Sequence, residues 1–479
     1  MLEDSKRHPK RRDYLKAAGG TIAATGLAGC FGLGGGGSGK TTIKYWDTFN
    51  VQSQSARETV ENLVSRFEDE HDVNVELNLS GFGQMAGSEW ITRFEEGEYP
   101  VIFTGDQIVA GRFEEGGYIK PFTDWHDQLS SNVRNGLSWI LDGPIDEATA
   151  WMGEHPSMER NTYTFPVGLV PQDPVQVRAD HMREAGLDPE SDFPPESYEH
   201  LVEIATTLTE DGPGDYGFQL HGHPFDWYTF IEPYTNALGG HEGEAGYFAE
   251  DYRSVNYDTE TWKQVVADTI ALYREHEVSG PQTPSIPDED TVPLLTQGQV
   301  SMSPIEPMNY PTYHDTAPEL MEAGDIKYGS LWSEPSGMNN AMLTYGLAIT
   351  NPPEGADEDE WERKQELAVK LAEMWFEEQV QTSLFMDTGF VPVRRDLWDQ
   401  NAEQLPYNDA SGAFETLTTM VDEESRGIHT SHPTYLSASS DMGSLMGQGY
   451  NGELTPEEVC TRGAEAGNSV LDDYWSART

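Results

Sequence analysis

The chain has 479 residues, a hydrophobic fraction of 37% and a formal net charge of -54. Its acidic side chains are spread along the whole length, and such a charge distribution disfavours nucleic acid and anionic membrane surfaces as partners. Salt at molar concentration shortens the Debye length to about 3 Å and screens the self-repulsion, so we expect a protein from a salt-loving prokaryote.

The N-terminal segment has the features of an export signal. Arg11 and Arg12 precede a weakly apolar stretch that ends in Leu27-Ala28-Gly29-Cys30. Paired arginines are typical of a twin-arginine signal, and small residues before a cysteine are typical of a lipoprotein cleavage site. The stretch is shorter than the roughly 20 strongly apolar residues of a membrane-spanning helix. Residues 1–29 are therefore predicted to be a signal peptide.

Cysteine usage agrees with export and anchoring. The chain has two cysteines, Cys30 and Cys460, so a lipid on Cys30 would leave the exported body without a disulfide. Residues 30–40 are rich in glycine and are predicted to form a flexible tether. These features predict a protein attached through a lipid to the outer face of the cytoplasmic membrane.

The segments after the tether alternate between strand and helix patterns. Residues 41–49 are predicted as a strand, 56–70 as a helix with one apolar stripe, and 73–79 as a strand with alternating apolar positions. A helix around 88–96 and a short strand at 101–103 follow. This order predicts a largely parallel sheet with helices on its faces, and the roughly 440 exported residues are enough for two lobes.

Polar and aromatic residues stand at the ends of these predicted strands. Ligands of parallel α/β sheets bind outside the carboxyl ends of the strands. Helix caps and turns use the same residue types, so each position taken alone also has a structural explanation. Together they favour a binding site, with these candidates: Trp46, Asp47, Phe82, Asp106 and Gln107.

Later segments contain two further helix predictions and no catalytic motif. Ser197 is a predicted N-cap for a helix that starts at residue 198, and residues 360–379 form the clearest helix pattern. No nucleophile elbow, phosphate-binding loop or zinc helix motif is present, so no enzyme is expected.

Two histidine pairs have spacings that are compatible with metal binding. The pairs are His221 with His223 and His429 with His432. Neither pair has a cysteine or a compact acidic partner beside it, so surface or packing roles are expected. We therefore predict no metal site and no cofactor.

Short segments distributed over the exported body resemble one family. They are IKYW at 43–46, FEDEH at 67–71, VNV at 73–75, YPVIF at 99–103, EGGYIKP at 115–121, YTFP at 163–166, EAGLD at 184–188, YGF at 216–218, QGQVSM at 297–302, TGFVPVR at 388–394 and LTPEEV at 454–459. In order and spacing they resemble the extracellular solute-binding proteins of ABC importers, in particular the large sugar-binding group that includes maltose-binding protein.

The resemblance implies an α/β, two-lobed periplasmic-binding-protein-like fold with a hinge and an interlobe cleft. Lobe one would comprise residues 41–165 and 341–380, and lobe two residues 166–340 and 381–479. The solute would be held between the lobes, which close around it by a hinge motion. A monomer without a cofactor is expected.

The resemblance also directs attention to a second group of candidate ligand residues. Aromatic rings cover the apolar faces of sugars, and carboxylates and amides bond their hydroxyls. Met308 stands in the stretch where the family places a sugar-stacking tryptophan. The candidates of this group are Gln172, Trp227, Tyr228, Glu306, Met308, Asn309, Tyr310 and Tyr345.

Three functions are compatible with these features. The first is a lipid-anchored receptor that captures a mono- or oligosaccharide and delivers it to the permease of an ABC transporter. The second is the same receptor role for a cationic solute such as a polyamine, because aromatic and acidic residues together also bind cations. The third is a surface-anchored polysaccharide hydrolase, for which no catalytic constellation is recognisable.

Overall fold

The structure is a computed structural model. It describes residues 40–48, 53–81, 84–85, 89–141, 150–151, 161–171, 174–238, 246–249, 251–331, 341–398, 410–422, 426–427 and 434–477. The predictions for Arg11, Arg12, Cys30 and the signal peptide lie outside these residues, as does nearly all of the tether. The chain divides into the units 1–40 and 41–479, and the elements given below belong to the second.

The strands, in chain order, are β1 Thr42–Asp47, β2 Asn74–Leu79, β3 Ile102–Asp106, β4 Ala150–Trp151, β5 Asn161–Thr162, β6 Phe165–Pro171, β7 Val175–Arg178, β8 Met302–Pro304, β9 Ile326–Gly329, β10 Ala341–Ile349, β11 Val391–Pro392 and β12 Arg426–Gly427.

The α-helices are α1 Gln54–His71, α2 Glu89–Glu95, α3 Gln107–Glu115, α4 Thr123–His126, α5 Ser131–Leu141, α6 Ala179–Glu184, α7 Tyr198–Asp211, α8 Tyr228–Ala237, α9 Glu260–Arg274, α10 Thr291–Thr296, α11 Tyr310–Thr316, α12 Pro318–Ala323, α13 Glu358–Trp375, α14 Glu378–Thr388, α15 Ala413–Asp422, α16 Tyr435–Tyr450 and α17 Pro456–Ser476. Short 3-10 turns span Pro307–Asn309 and Arg395–Leu397.

The larger sheet has the strand order β11-β6-β10-β3-β1-β2, with β12 beside β10. β1 pairs in parallel with β2 and β3, which confirms the parallel arrangement predicted for the first three strands. β10 is inserted between β3 and β6 and runs antiparallel to both. The smaller sheet is antiparallel, with the order β8-β7-β9. β6 pairs in the larger sheet and β7 in the smaller one, so the chain passes between the sheets after Pro171. The predicted lobe boundaries themselves stay a prediction.

Local signals fix the ends of several helices. Ser197 accepts a hydrogen bond from the backbone N–H of His200, as expected of the predicted N-cap of α7. The pattern predicted at 360–379 is divided between α13 and α14. Gln381 accounts for this break, because its side-chain amide donates to the carbonyl oxygen of Trp375, where α13 ends. In a continuous α-helix this carbonyl oxygen would instead accept a hydrogen bond from the backbone N–H four residues further along the chain.

Apolar side chains form separate cores. One core lies between the larger sheet and its helices, and it extends through α14 to α11 and β9. A second core is built from the smaller sheet with α7, α8, α9, α16 and α17. A third, rich in aromatic rings, joins β1 and β3 to α2 and α3. Within the part of the chain that the structure describes, no helix combines the length and apolarity that crossing a membrane requires.

Candidate functional site

The loop from His221 to Tyr228 is held by close contacts at two glycines. A Cβ atom on Gly222 would lie 2.0 Å from the carbonyl oxygen of Thr283, and one on Gly443 of α16 would lie 2.2 Å from that of Pro224. Only glycine permits approaches this close, because real Cβ contacts are longer. The loop therefore has a fixed path, and it delivers the chain to the start of α8 at Tyr228.

The turn that follows β8 carries the second part of the site. Glu306 precedes the 3-10 turn Pro307–Asn309. The carboxylate of Asp288 accepts bonds from both ends of this turn, at 3.3 Å from the backbone nitrogen of Glu306 and at 2.5 Å from Nδ2 of Asn309. The hydroxyl of Tyr228 donates to Oε1 of Glu306 at 2.9 Å. These bonds connect the start of α8 to the turn.

Four carboxyl groups lie around this connection: Asp226, Glu232, Asp288 and Glu306. We call them the acidic cluster. Asp226 accepts a bond of 3.3 Å from the backbone nitrogen of Asp288. Glu232 is one helical turn beyond Tyr228 on the same face of α8. Its side chain is buried, with 2% of the residue exposed, and its Oε2 atom has no hydrogen-bond partner among the described residues.

Burial and mutual repulsion raise the pKa values of the acidic cluster. Burial, followed by the charge of Glu306, raises the pKa of Glu232 to about 8. Burial raises the pKa of Asp226 to about 6. The pKa of Asp288 is also raised, by burial first and then by Glu306 and Asp226. Near neutral pH the cluster consequently retains protons that exposed carboxyls would have lost.

His221 is a neutral packing residue at the edge of the acidic cluster. Its ring nitrogens lie 3.0 Å from Oγ1 of Thr229 and 3.3 Å from Oγ of Ser303. Burial lowers the pKa of His221 to about 3, so the ring does not balance the charge of the nearby carboxyls. Within the described residues, no group of three or more His, Cys, Asp or Glu side chains is arranged to hold a metal ion. His429 and His432 lie outside those residues.

The structure brings Tyr228, Glu306 and Asn309 together, three of the residues that the sequence analysis proposed for ligand binding. Met308 belongs to the same turn and is half-buried. Trp227 lies behind them in the second core, where its ring meets those of Tyr247, Tyr257 and Trp262. Tyr228 and the turn thus form the polar surface, and Trp227 supports it.

Other candidate residues lie inside the cores. Trp46 is 2% exposed and packs against Trp90, while the guanidinium of Arg93 lies 4.1 Å from the centre of its ring. Tyr310 is fully buried against Phe385.

Two more candidates occupy strand positions of the larger sheet. Asp47 is buried and accepts a 2.6 Å bond from the hydroxyl of Tyr45. Tyr345 on β10 stacks on Phe390. A ligand would meet these groups only after a change in side-chain position, so their roles stay predictions.

For four candidates the structure describes only the backbone or nothing at all. The backbone of Asp106 ends β3 opposite Tyr345, and Gln107 begins α3. Phe82 and Gln172 lie outside the described residues. Of the surface that lobe one would contribute to the site, the structure therefore describes only the ends of β1 and β3.

Three members of the acidic cluster were not among the sequence candidates: Asp226, Glu232 and Asp288. Asp226 directly precedes the candidates Trp227 and Tyr228 in the sequence. Glu232 follows Tyr228 by four residues, a spacing that places both on one helix face. A local sequence pattern could therefore have predicted these two as site residues. Asp288 was not, because nothing in the surrounding sequence distinguishes it among 83 acidic residues.

Comparison with known proteins agrees with this architecture. The family model of bacterial extracellular solute-binding proteins matches residues 62–404. A search of the curated proteins found no match.

Solved structures share the fold over most of the chain. An ABC transporter solute-binding protein from Thermotoga lettingae, bound with alpha-D-tagatose, has a TM-score of 0.69 at 20% identity and covers 90% of this chain and 100% of its own. The GacH receptor of Streptomyces glaucescens, solved with acarbose, has a TM-score of 0.67 at 16% identity, with coverages of 91% and 99%. Maltose-bound MalE3 of T. maritima has a TM-score of 0.69 at 16% identity, with coverages of 90% and 100%.

These likenesses show a mixed α/β, two-domain fold of the periplasmic-binding-protein type, as the sequence analysis predicted. The family model spans well over half of the chain, and it includes the loop, the turn and the whole acidic cluster. The resemblance inferred from short segments is thereby confirmed. This chain belongs to the bacterial extracellular solute-binding protein family.

Proposed function

We propose that this protein is a receptor that captures a sugar outside the cell and delivers it to the permease of an ABC transporter. Family membership supports a binding role, and the related folds were solved with tagatose, acarbose and maltose. The observation that carries the proposal is the bonded group of Tyr228, Glu306, Asp288 and Asn309. It presents carboxylate and amide groups beside an aromatic ring, the combination that sugar hydroxyls and ring faces require.

The receptor works by closure of its two domains. A solute shifts the equilibrium towards the closed form only by the extra affinity that it has for that form. Lobe two supplies Tyr228 and the turn at Glu306, and lobe one supplies residues at the ends of β1 and β3. The permease recognises the closed form, and occupancy thereby becomes a signal for transport.

The protein acts at the outer face of the cytoplasmic membrane. Residues 1–29 direct export, and Cys30 carries a lipid with more than one acyl chain, since a single chain binds membranes only marginally. Residues 30–40 give the binding unit its reach. The acidic surface adapts the protein to molar salt.

The receptor binds its solute and does not transform it. The competing role, a polysaccharide hydrolase, requires one carboxyl that donates a proton and another that attacks or activates water. Incubation with starch, glucans and xylans should release no reducing ends. Release of reducing ends by the wild-type protein, abolished by Glu306→Gln, would support the hydrolase instead.

A ligand panel tests the proposed function directly. The full-length protein is titrated in molar KCl with tagatose, glucose, maltose and maltotriose, with tryptophan fluorescence and the melting temperature as readouts. A bound sugar raises the melting temperature by mass action. Glu306→Gln should weaken the response to the binding sugar, whereas Glu210→Gln on the exposed surface of α7 should not. No response to any sugar of an extended panel would refute the sugar assignment.

A further inference from the structure

We propose that the solute carries an ammonium group and that the acidic cluster receives it. The inference rests on the proposed receptor function and specifies the chemistry of its ligand. The bound molecule would be an amino sugar or a polyamine, since both present a primary or secondary amine that is protonated at neutral pH.

The first observation is the missing positive charge. Asp226, Glu232, Asp288 and Glu306 are gathered around one connection. In the described part of the chain, no lysine or arginine forms an ion pair with Asp226, Glu232 or Asp288. Asp226 lies 3.4 Å from Nδ1 of His223, and Asp288 lies 3.9 Å from Nδ1 of the neutral His221. Buried carboxylates are ordinarily paired, because an isolated buried charge is costly. Near neutral pH the carboxyls retain protons in place of a basic partner, and a cation can replace those protons.

The second observation is the free oxygen of Glu232. Asp288 uses both carboxylate oxygens on the turn, and Glu306 accepts from Tyr228. The Oε2 atom of Glu232 accepts from no described residue although the side chain is almost fully buried. Its helix face is the one that carries Tyr228, so the side chain is directed towards Glu306. We assign this buried acceptor to a donor group of the ligand.

An ammonium group would supply both the missing positive charge and a donor for Oε2 of Glu232, whereas a sugar hydroxyl would supply only the donor. The ammonium supplies three N–H donors together with a positive charge. A hydroxyl supplies a single donor and leaves the repulsion between the carboxyls unrelieved. Aromatic faces next to carboxylates add further attraction for a cation. Tyr228, whose hydroxyl donates to Glu306, provides one such ring.

The release of protons on ligand binding can be measured on the wild-type protein and would test the proposal without any variant. An ammonium group binds to carboxylates, so it expels the protons that the cluster retains near neutral pH. The groups facing Glu232 are Glu306, Tyr247 and Tyr257, and burial keeps the tyrosine pKa values far above this range. Asp288 and Asp226 face Glu306, Glu289 and the two histidines His221 and His223, and Tyr313 of α11 faces Asp288 with a pKa that burial raises. For spermidine and putrescine, whose amines stay protonated across this range, affinity should therefore rise between about pH 6 and 8, as Asp226 and then Glu232 ionise.

The experiment compares matched ligands on the full-length protein in molar KCl by calorimetry. The pairs are glucosamine with glucose, and chitosan disaccharide with its N-acetylated form; spermidine and putrescine form a third arm. We expect an amine to bind at least tenfold more tightly than its neutral partner. We also expect the heat to depend on the ionisation enthalpy of the buffer. Glu232→Gln and Asp288→Asn should each remove most of the preference, while Glu210→Gln, with the same change in charge, should keep it.

The outcomes separate the inference from the proposed function. If neutral sugars bind as tightly as their amines and release no protons, the ammonium proposal is wrong and the sugar receptor stands. If spermidine binds and every sugar fails, the ammonium proposal stands and the sugar assignment falls. If nothing binds in any arm, both are overturned. Should Glu232→Gln fail to fold, the proton release of the wild-type protein still decides.

Discussion

The hydroxyl of Tyr228 donates a 2.9 Å hydrogen bond to Oε1 of Glu306. This bond joins residues 78 positions apart in the chain: the first residue of α8 and the residue before the turn that follows β8. Because both lie in the part of the structure that holds the acidic cluster, the bond sets the geometry of the candidate site. Its removal is the first test of whether that geometry matters for binding.

Tyr228→Phe should lower ligand affinity about tenfold. A hydrogen bond to a charged group contributes about 1.5–3 kcal/mol, and without it the carboxylate of Glu306 can move away from the ligand position. Calorimetry with the solute identified by the panel measures the effect. Tyr273→Phe on α9 is the control, since it removes a hydroxyl from the same domain outside the site. Equal affinities for both variants would show that the Tyr228 bond serves stability alone.

Glu232→Gln should change how stability depends on pH. The pKa of Glu232 is raised to about 8 in the folded protein, from an ordinary 4.5. The folded state therefore binds the proton more strongly than the unfolded state does, and stability falls as the pH rises from about 4.5 through 8. Removal of the carboxylate should leave the melting temperature nearly unchanged at pH 5 and raise it at pH 8.5. Asp226 contributes a similar loss that ends near pH 6.

That prediction is measured by thermal unfolding at both pH values in molar KCl. Glu210→Gln again serves as the control, because it removes an exposed carboxyl and should shift both melting temperatures alike. If Glu232→Gln lowers the melting temperature at pH 8.5, Glu232 has a partner that stabilises its charged form, and the reasoning from the free Oε2 atom fails.

The sequence predicted the local elements of the fold better than its long-range pairings. The parallel unit of β1, α1 and β2 follows from periodicity within a short window, and so does the N-cap at Ser197. The insertion of β10 between β3 and β6 depends on a strand that begins 170 residues after the end of β6 (341 against 171). No pattern in a single sequence encodes that pairing, because it results from packing of the assembled domain.

The sequence also identified only part of the candidate site correctly. Tyr228 and Glu306 were recognised by residue type and by the resemblance of their segments to a family, and the structure joins them. Tyr310 was selected by the same reasoning, and Trp46 by its place at the end of a predicted strand, yet both are buried in cores. An aromatic residue has the same signature in a core and in a binding surface. Burial decides between the two, and burial is a property of the whole fold.

Gly443→Ala should disturb the site through the loop that it contacts. The new Cβ atom would lie 2.2 Å from the carbonyl oxygen of Pro224, a backbone atom that can move only with the loop from His221 to Tyr228. We expect destabilisation by more than about 1 kcal/mol and a clear loss of affinity, because overpacking costs roughly 1–3 kcal/mol.

The same helix offers a matched control for that substitution. At Gly447 the nearest atom to a new Cβ is 3.4 Å away, an ordinary contact. Gly447→Ala should stabilise α16, since alanine exceeds glycine by about 1 kcal/mol in a helix interior. Denaturant unfolding and calorimetry measure both variants. If the two substitutions have equal effects, the contact with Pro224 does not position the loop.

Cys30→Ser should release the protein from the membrane without altering its binding. The variant keeps the export signal and loses the proposed lipid attachment, so the protein should move from the membrane fraction to the medium. Replacement of Arg11 and Arg12 by lysine should instead retain it inside the cell. Fractionation with immunodetection distinguishes these results. A Cys30→Ser protein that stays in the membrane fraction would refute the lipid anchor.

In the Cys30→Ser variant, the rate at which a thiol reagent labels Cys460 should report on unfolding. Its thiol is fully buried in α17, and burial raises its pKa to about 12. A thiolate is the reactive form, so a thiol reagent at pH 8 should label the folded protein extremely slowly and the unfolded protein at once. A bound solute stabilises the folded state and should slow labelling further, in proportion to its concentration above the dissociation constant. The labelling rate therefore provides a ligand assay that is independent of tryptophan. Rapid labelling of the native protein would contradict this prediction and show that α17 opens locally. In that case a solute could slow labelling only by suppressing the local opening.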